Sequence, residues 1–468
     1  MLMSSRAPDI GFGPKFIAPL FIGAMLNPIN STMIATALVP IGHSLHAGAS
    51  STAWLVAGLY LASAIAQPIM GRIADRYGPR RVYLAGLVLV ALAGICGLWI
   101  PSLSYLVGVR VLVGIGTSAA YPAALAMVRA QSARLDRPAP GSVLGTITLG
   151  SMVSAAIGPA LGGLLVGLAG WQSIFVVNLP LATIGIVFAL AWLPPDSVTK
   201  PANESAWHAL DLRGILLFAA SLGVLLLFLM HLRQPNWLLL GGFGLLAVVL
   251  SIVELRAGAS SDRAAAPFLD LRMLARNRPL LLTYLRFGLL FIVVYGMLYG
   301  FTQWLQDARD FSSEVAGLLL LPMSVVAAAS SAVGARGRRV RAPLWIGTAA
   351  LLAGSLLLLR VNDTAGLPLL IGLGLLFGLP NGLNMVGNQA ALYSQAPADQ
   401  IGTAAGLSRT AQYLGAIFSS SLIGLYYGDR ATDSGLHSLT WIFIVLAGIL
   451  LVITVLDRNL MDRNPRGR

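Results

Sequence analysis

Apolar residues along this chain neither alternate nor keep to one helical face. They come in unbroken runs of roughly 20 residues, the length a helix needs to cross a bilayer. The runs predict spans at 15–39, 51–71, 81–100, 104–128, 142–168, 172–194, 212–231, 236–255, 280–304, 313–335, 342–360, 366–391, 401–427 and 437–456. Fourteen crossings return the chain to the side on which it began. The connecting stretches alternate between strongly basic and poor in basic residues. Arg72–Arg81, Arg129–Arg137, Arg256–Arg278, Arg336–Arg341 and Arg458–Arg468 fall on one side, whereas the other side holds only Arg233, Arg309, Arg360 and Arg430. Basic loops stay in the cytoplasm, so both termini are expected there. Two longer polar stretches, 195–211 and 256–279, predict cytoplasmic linkers, and Trp207 in the first suits the membrane surface.

Composition agrees. Of 468 residues, 57% are hydrophobic and only 10% charged, with a mean hydropathy of +0.79. Soluble domains carry about 25% charged residues, so this chain belongs in a lipid bilayer. The net charge of +13 raises the possibility of nucleic-acid binding, but the basic residues are distributed by membrane side rather than gathered in one patch, so no nucleic-acid partner is expected. The single cysteine, Cys96, lies in an apolar run and excludes an internal disulfide. The first apolar run is span-length with no cleavage signal behind it, and reads as an uncleaved span. No phosphate loop, metal-ligand cluster or nucleophile–base constellation is present. The reading is therefore not an enzyme, with no cofactor and no metal, and any active transport must draw on a gradient.

Polar residues inside or beside the spans are few enough to name. Gly71-Arg-Ile-Ala-Asp75-Arg76-Tyr-Gly78-Pro-Arg80-Arg81 joins the second and third spans. Gly71 and Gly78 permit a sharp reversal, Asp75 is suited to accept from N–H groups at a helix start, and the arginines hold the turn in the cytoplasm. The fifth span carries Gly158-Pro159-Ala-Leu-Gly162-Gly163, where small residues let helices touch backbone to backbone and Pro159 permits a bend; generic packing would use the same residues. Arg110 in the fourth span cannot lose its proton, so it faces a polar cavity or snorkels to the surface. Asn27 and Asn30 share a face of the first span. Asn381, Asn384 and Asn388 form a stripe on the twelfth, and Arg409 and Gln412 lie on the thirteenth. Arg286 is expected to snorkel. Trp54, Tyr60, Tyr284, Tyr295, Tyr299 and Trp304 are expected to anchor at the interface or to pack.

Every Asp and Glu falls in a loop or at a span end, and no His lies deep in a span. Buried acids and histidines are the usual proton carriers of transporters. An interior of guanidinium and amide groups suits an anionic or polyhydroxylated solute better than a cation. Weak internal repeats pair spans 1–6 with spans 9–14. Gly141…Gly145 matches Gly402…Gly406, Trp171…Phe175 matches Trp441…Phe443, and the Gly334–Arg339 loop is a worn copy of the 71–81 loop.

The 71–81 loop resembles the signature loop of the major facilitator superfamily. The Gly158-Pro159 run resembles the motif that exporting members carry, and Arg110 the family's motif arginine, although Val113 stands where the family often has Gln. Six plus two plus six spans resembles the fourteen-span drug:proton antiporter group, whose members commonly have Asp near the position of Asn30. The resemblance implies an all-α integral membrane protein of the major facilitator fold, with two six-helix bundles and two extra transmembrane helices. It divides the chain into a bundle at 1–194, a linker at 195–211, two inserted helices at 212–255, a linker at 256–279 and a second bundle at 280–468. It also implies alternating access around a midplane site. Gly71, Asp75, Arg76, Gly78, Arg80 and Arg81 would form a conformational latch, and Gly158, Pro159, Gly162 and Gly163 a moving seam. Arg110, Asn27, Asn30, Asn381, Asn384, Asn388, Arg409 and Gln412 would line the solute path. The expected function is secondary active export of small organic solutes, drug or metabolite, across the inner membrane by a monomer, with protons as the candidate coupling ion. An organic-anion or metabolite transporter without proton antiport, and a non-transporting receptor or lipid-handling protein on the same scaffold, stay open.

Overall fold

The computed structural model describes residues 11–99, 101–196, 212–257, 271–336, 340–397, 401–457 and 460. Among these, every regular element is helical. The long helices are α1 (Pro14–Thr36), α2 (Ala49–Tyr77), α3 (Pro79–Cys96), α4 (Leu103–Arg134), α5 (Gly141–Ala169), α6 (Ser173–Trp192), α7 (Arg213–Met230), α8 (Trp237–Arg256), α9 (Arg278–Asp307), α10 (Ser313–Arg336), α11 (Arg341–Leu358), α12 (Leu367–Gln395) and α14 (Asp433–Leu456), 13 helices long and apolar enough to cross a membrane. The remaining expected span is the 27-residue helix α13 (Ile401–Tyr427). It carries Ser408, Thr410, Gln412, Ser419, Ser420 and Ser421, all buried. So polar a helix is tolerated in a bilayer only where protein surrounds it.

Helices start where the chain supplies a cap or a proline. The side chains of Ser102, Asn277, Ser312 and Thr432 accept N–H groups of the following first turns, and Pro14, Pro79 and Pro368 sit where a first-turn N–H would go unused. Several helices outrun their predicted ends, because water at headgroup level hydrates polar side chains without breaking the backbone ladder. The turn expected over 71–81 therefore shrinks to Gly78. It stands at φ 101°, a conformation open to glycine, between Tyr77 of α2 and Pro79 of α3. Gly71 is helical and faces Pro122 of α4. Internal prolines free carbonyls that neighbours then use. Pro28 leaves the Ala24 carbonyl without its helical N–H, and Ser151 of α5 donates to it at 2.9 Å.

The packing repeats. In the first six helices α1 packs on α4, α5 and α6, α2 on α4, and α3 on α4 and α6. In the last six α9 packs on α12, α13 and α14, α10 on α12, and α11 on α12 and α14. These are the same pairings in the same order, hence two six-helix bundles related by pseudo-symmetry. The bundles meet through α2 against α13 and α5 against α10. α7 rests on α2 and α13, and α8 packs chiefly on α7, leaving apolar residues such as Leu238 (85% exposed) and Leu245 (66%) for lipid. The linker expectations, Trp207, Arg338, Arg339 and the basic tail fall largely outside the described residues.

Candidate functional site

Where the two bundles meet, α1 supplies a polar node. Past Pro28 the helix tightens into a 3-10 turn at Ile34–Thr36, and the carbonyls just before it take outside donors. Arg110 of α4 donates through Nη1 to the Asn30 carbonyl (2.9 Å) and through Nε to the Leu55 carbonyl of α2 (3.1 Å). Tyr299 of α9 donates to the next carbonyl, Ser31 (2.6 Å). Arg110 is 2% exposed, and its Nη2 is buried without a hydrogen-bond partner. No acid among the described residues forms an ion pair with it. Arg110 therefore faces the interior and does not snorkel. Asn27 donates to Thr117 (2.9 Å) and Ser63 (3.3 Å).

Tyrosines cross the same seam. The Tyr60 hydroxyl of α2 lies 2.9 Å from that of Tyr299, and Tyr413 of α13 donates to Gln67 of α2 at 2.7 Å. Tyr60 also meets Tyr295 and Tyr413, with ring centroids 5.1 and 5.6 Å away, and Tyr295 stacks on Tyr299. Arg409 of α13 lies over the ring of Tyr121 in α4 at 5.7 Å. A π-helical segment at Gly296–Phe301 rotates this stretch of α9, and such insertions recur at functional sites. Tyr60, Tyr295 and Tyr299 thus pack at the centre of the molecule, not at a membrane surface. The expectation allowed packing as well as anchoring, because tyrosine suits both places.

Other expected path residues make their side-chain contacts inside a single bundle. Asn30 and Asn178 of α6 form a reciprocal amide pair at 2.6 and 2.8 Å. Asn384 is buried against Gly347 of α11 with both side-chain polar atoms unpartnered. Asn388 accepts from Arg286 at 3.0 Å. Each of these contacts stays within one bundle. Gln412 is buried and Asn381 half-buried. Arg286 does not snorkel as expected. It is fully buried, with Nη1 on Asp457 at 2.5 Å and Nη2 on Thr283 at 2.6 Å.

The glycine run of α5 is a seam on two adjacent faces. A side chain at Gly158 would strike Thr32, and one at Gly162 would strike Met33 and Thr36, all on α1. A side chain at Gly163 would strike the Ser313 backbone, and one at Gly167 would strike Glu314, both on α10. Gly317 of α10 lies on the Pro159 carbonyl. Gly167 and Gly317 complete a contact of which the sequence reading held only half. The Gly-x3-Gly spacing of 163 and 167 was its visible sign.

The 71–81 loop is fastened to its own bundle. Asp75 pairs with Arg129 of α4 at 3.3 Å and does not cap α3, contrary to expectation. That role belongs to Asp196, beyond α6, whose two oxygens accept the Arg80 and Arg81 N–H groups at 3.0 Å each. Arg80 in return donates to the Leu190 carbonyl at 3.0 Å, so α3 and α6 cap one another. Arg81 is exposed, and Arg76 lies 6.0 Å from the Tyr77 ring. At the opposite end of the molecule the bundles are joined by main chain. Ser50 N–H donates to the Gly428 carbonyl (2.7 Å) and Ala49 N–H to that of Asp429 (3.2 Å). His43 lies 3.8 Å from Asp307 there.

Two pseudo-symmetric helical bundles that meet across a seam carrying Tyr60, Tyr299, Tyr413 and Arg409 have the architecture of a helical membrane transporter, and known proteins agree. The profile of the Major Facilitator Superfamily matches residues 20–420, and the chain belongs to that family. It is 32% identical over 453 residues to the uncharacterized MFS-type transporter YwoD of Bacillus subtilis (strain 168), covering 95% of this chain and 97% of that one. It is 31% identical over 415 residues to the multidrug resistance protein Stp of Mycobacterium tuberculosis (strain CDC 1551 / Oshkosh), covering 86% and 74%. A partially occluded, inward-open structure of the xylose transporter XylE from E. coli shares the fold, with a TM-score of 0.60 at 15% identity over 93% of this chain and 96% of that one. The protein is a membrane transporter, not an enzyme.

Proposed function

We propose that this transporter is a secondary active exporter of small organic solutes in the inner membrane, working as a monomer by alternating access with both termini in the cytoplasm. The observation that carries the reading is the seam. Unpaired Arg110, Tyr299 and Arg409 converge where the bundles touch, while main-chain bonds at Ser50 and Ala49 join the bundles at the far end. On the positive-inside assignment that end is external, so the state described is closed to the outside. The moving bodies are 1–194 and 280–468, with 212–255 carried outside them on the linkers 195–211 and 256–279. The loop from Gly71 to Arg81 acts as a latch through Asp75 and Arg129, and Gly158, Pro159, Gly162 and Gly163 form the sliding contact. Similarity to a multidrug resistance protein supports export. Proteoliposomes loaded with candidate solutes test it: flux that follows an imposed pH gradient supports proton coupling, and absence of flux for every solute refutes export.

A second reading rests on Arg110, buried with a free Nη2 and in no ion pair with an acid among the described residues. A site with that field favours organic anions over cations. Charge-selective flux from the same vesicles separates it from cationic drug export.

A further inference from the structure

We infer that the solute taken at the bundle seam is a planar aromatic acid, stacked between tyrosines of the two bundles with its acid group on Arg409. The inference deepens the export reading and rests on it for direction only. Each bundle presents the other with an aromatic face. Tyr60 and Tyr121 come from the first, and Tyr295, Tyr299 and Tyr413 from the second. In the state described, those faces cover one another across the seam. When the bundles part, the faces on both sides are uncovered together. The guest that best replaces what each has lost is another flat ring, because offset or edge contacts between aromatic groups are worth about 0.5–1.5 kcal/mol beyond the area they bury. An aliphatic guest of equal volume lacks that gain. The rims of the rings carry hydroxyls already engaged across the seam, Tyr60 with Tyr299 and Tyr413 with Gln67, and these are freed to bind a phenolic or carbonyl oxygen.

Aromatic faces alone would accept a cation equally well. Charge decides between the two. Arg409 already occupies the face of Tyr121. Neither Arg409 nor Arg110 forms an ion pair with an acid among the described residues. Arg286, buried inside α9, is neutralised by Asp457. A cation entering the seam meets uncompensated positive charge, whereas a carboxylate offers Arg409 the two-pronged partner its planar fork is built for.

The test is equilibrium binding to the purified full-length protein in nanodiscs, with no gradient. Three probes are compared: 1-hydroxy-2-naphthoate, 1-naphthylmethylammonium and cyclohexanecarboxylate. The naphthoate is expected to bind at least about tenfold tighter than either of the others. Arg409→Gln should cost about tenfold for the naphthoate and tighten the ammonium, since the charge that repels it is gone. Tyr295→Leu should weaken the naphthoate, while Tyr295→Phe, which keeps the ring and the packing, should not. Equal or tighter binding of the ammonium, an unchanged preference in Arg409→Gln, or no binding of any probe by folded protein overturns the inference. A protein that binds the naphthoate but moves nothing across vesicles keeps the site and refutes export. One that exports a cation and ignores the naphthoate does the reverse.

Discussion

The two bundles pair their helices alike and treat their buried charge in opposite ways. In the second, Arg286 is fully buried but answered by Asp457, Asn388 and Thr283. In the first, Arg110 is buried almost as deeply with two carbonyls, one free nitrogen and no carboxylate among the described residues. A buried ion pair with its hydrogen bonds met is a structural tie. A buried charge left uncompensated costs stability and persists only where something else selects for it. Helix packing therefore belongs to the shared architecture, while the unanswered charge is where the two bundles differ.

The largest expected effect breaks the answered pair. Arg286→Met leaves Asp457 buried without its cation, and Asp457→Asn leaves the reverse. Each should destabilise by about 3–5 kcal/mol, read as a lowered thermal midpoint in detergent. Arg110→Met is the matching change in the first bundle. It leaves no charge stranded, so its midpoint should hold or rise, while transport in vesicles is lost. If Arg110→Met destabilises as much as Arg286→Met, the contrast between the bundles fails.

A middle-sized effect should be common to both. Gly158 in α5 and Gly415 in α13 are tight contacts in corresponding helices, the first on Thr32 of α1 and the second on Gly288 and Phe291 of α9. Gly158→Val and Gly415→Val should each cost about 1–3 kcal/mol by overpacking. A large inequality would mean that the bundles share a topology without sharing a packing mode.

What could be read in advance divides along the same line. The fourteen helices were legible because lipid demands long apolar runs, and the glycine seam because backbone contact demands small residues at i, i+4. The side-chain partnerships were not. Asn30 with Asn178, Arg80 with Asp196, Tyr60 with Tyr299 and Arg286 with Asp457 join residues more than 100 positions apart. A single sequence supplies residue type but not facing. Arg286 shows why: apolar-run length leaves Asp457 in a loop, so an arginine near a span end has no visible partner in the sequence and snorkelling is the simpler expectation, whereas the fold brings the two together. The acceptors in the first bundle were harder still, since the Asn30 and Ser31 carbonyls are backbone and become available only where α1 tightens.

The smallest expected effect on stability concerns Asp75, and it separates holding from switching. Its pair with Arg129 lies at the surface, the two side chains 62% and 71% exposed. Solvent screening limits such a pair to about 0–1 kcal/mol, so Asp75→Asn should leave the thermal midpoint nearly unchanged and the protein in the membrane. The anchoring of the turn is carried instead by Asp196 on the Arg80 and Arg81 N–H groups and by Arg80 on the Leu190 carbonyl, which the substitution does not touch. If Asp75 serves the latch, the variant should still bind solute at the wild-type level and move it more slowly in vesicles. Slow transport with intact binding places the effect on interconversion between states. Wild-type rates would strip the loop of its latch role and leave it as a basic turn that Asp196 holds in place.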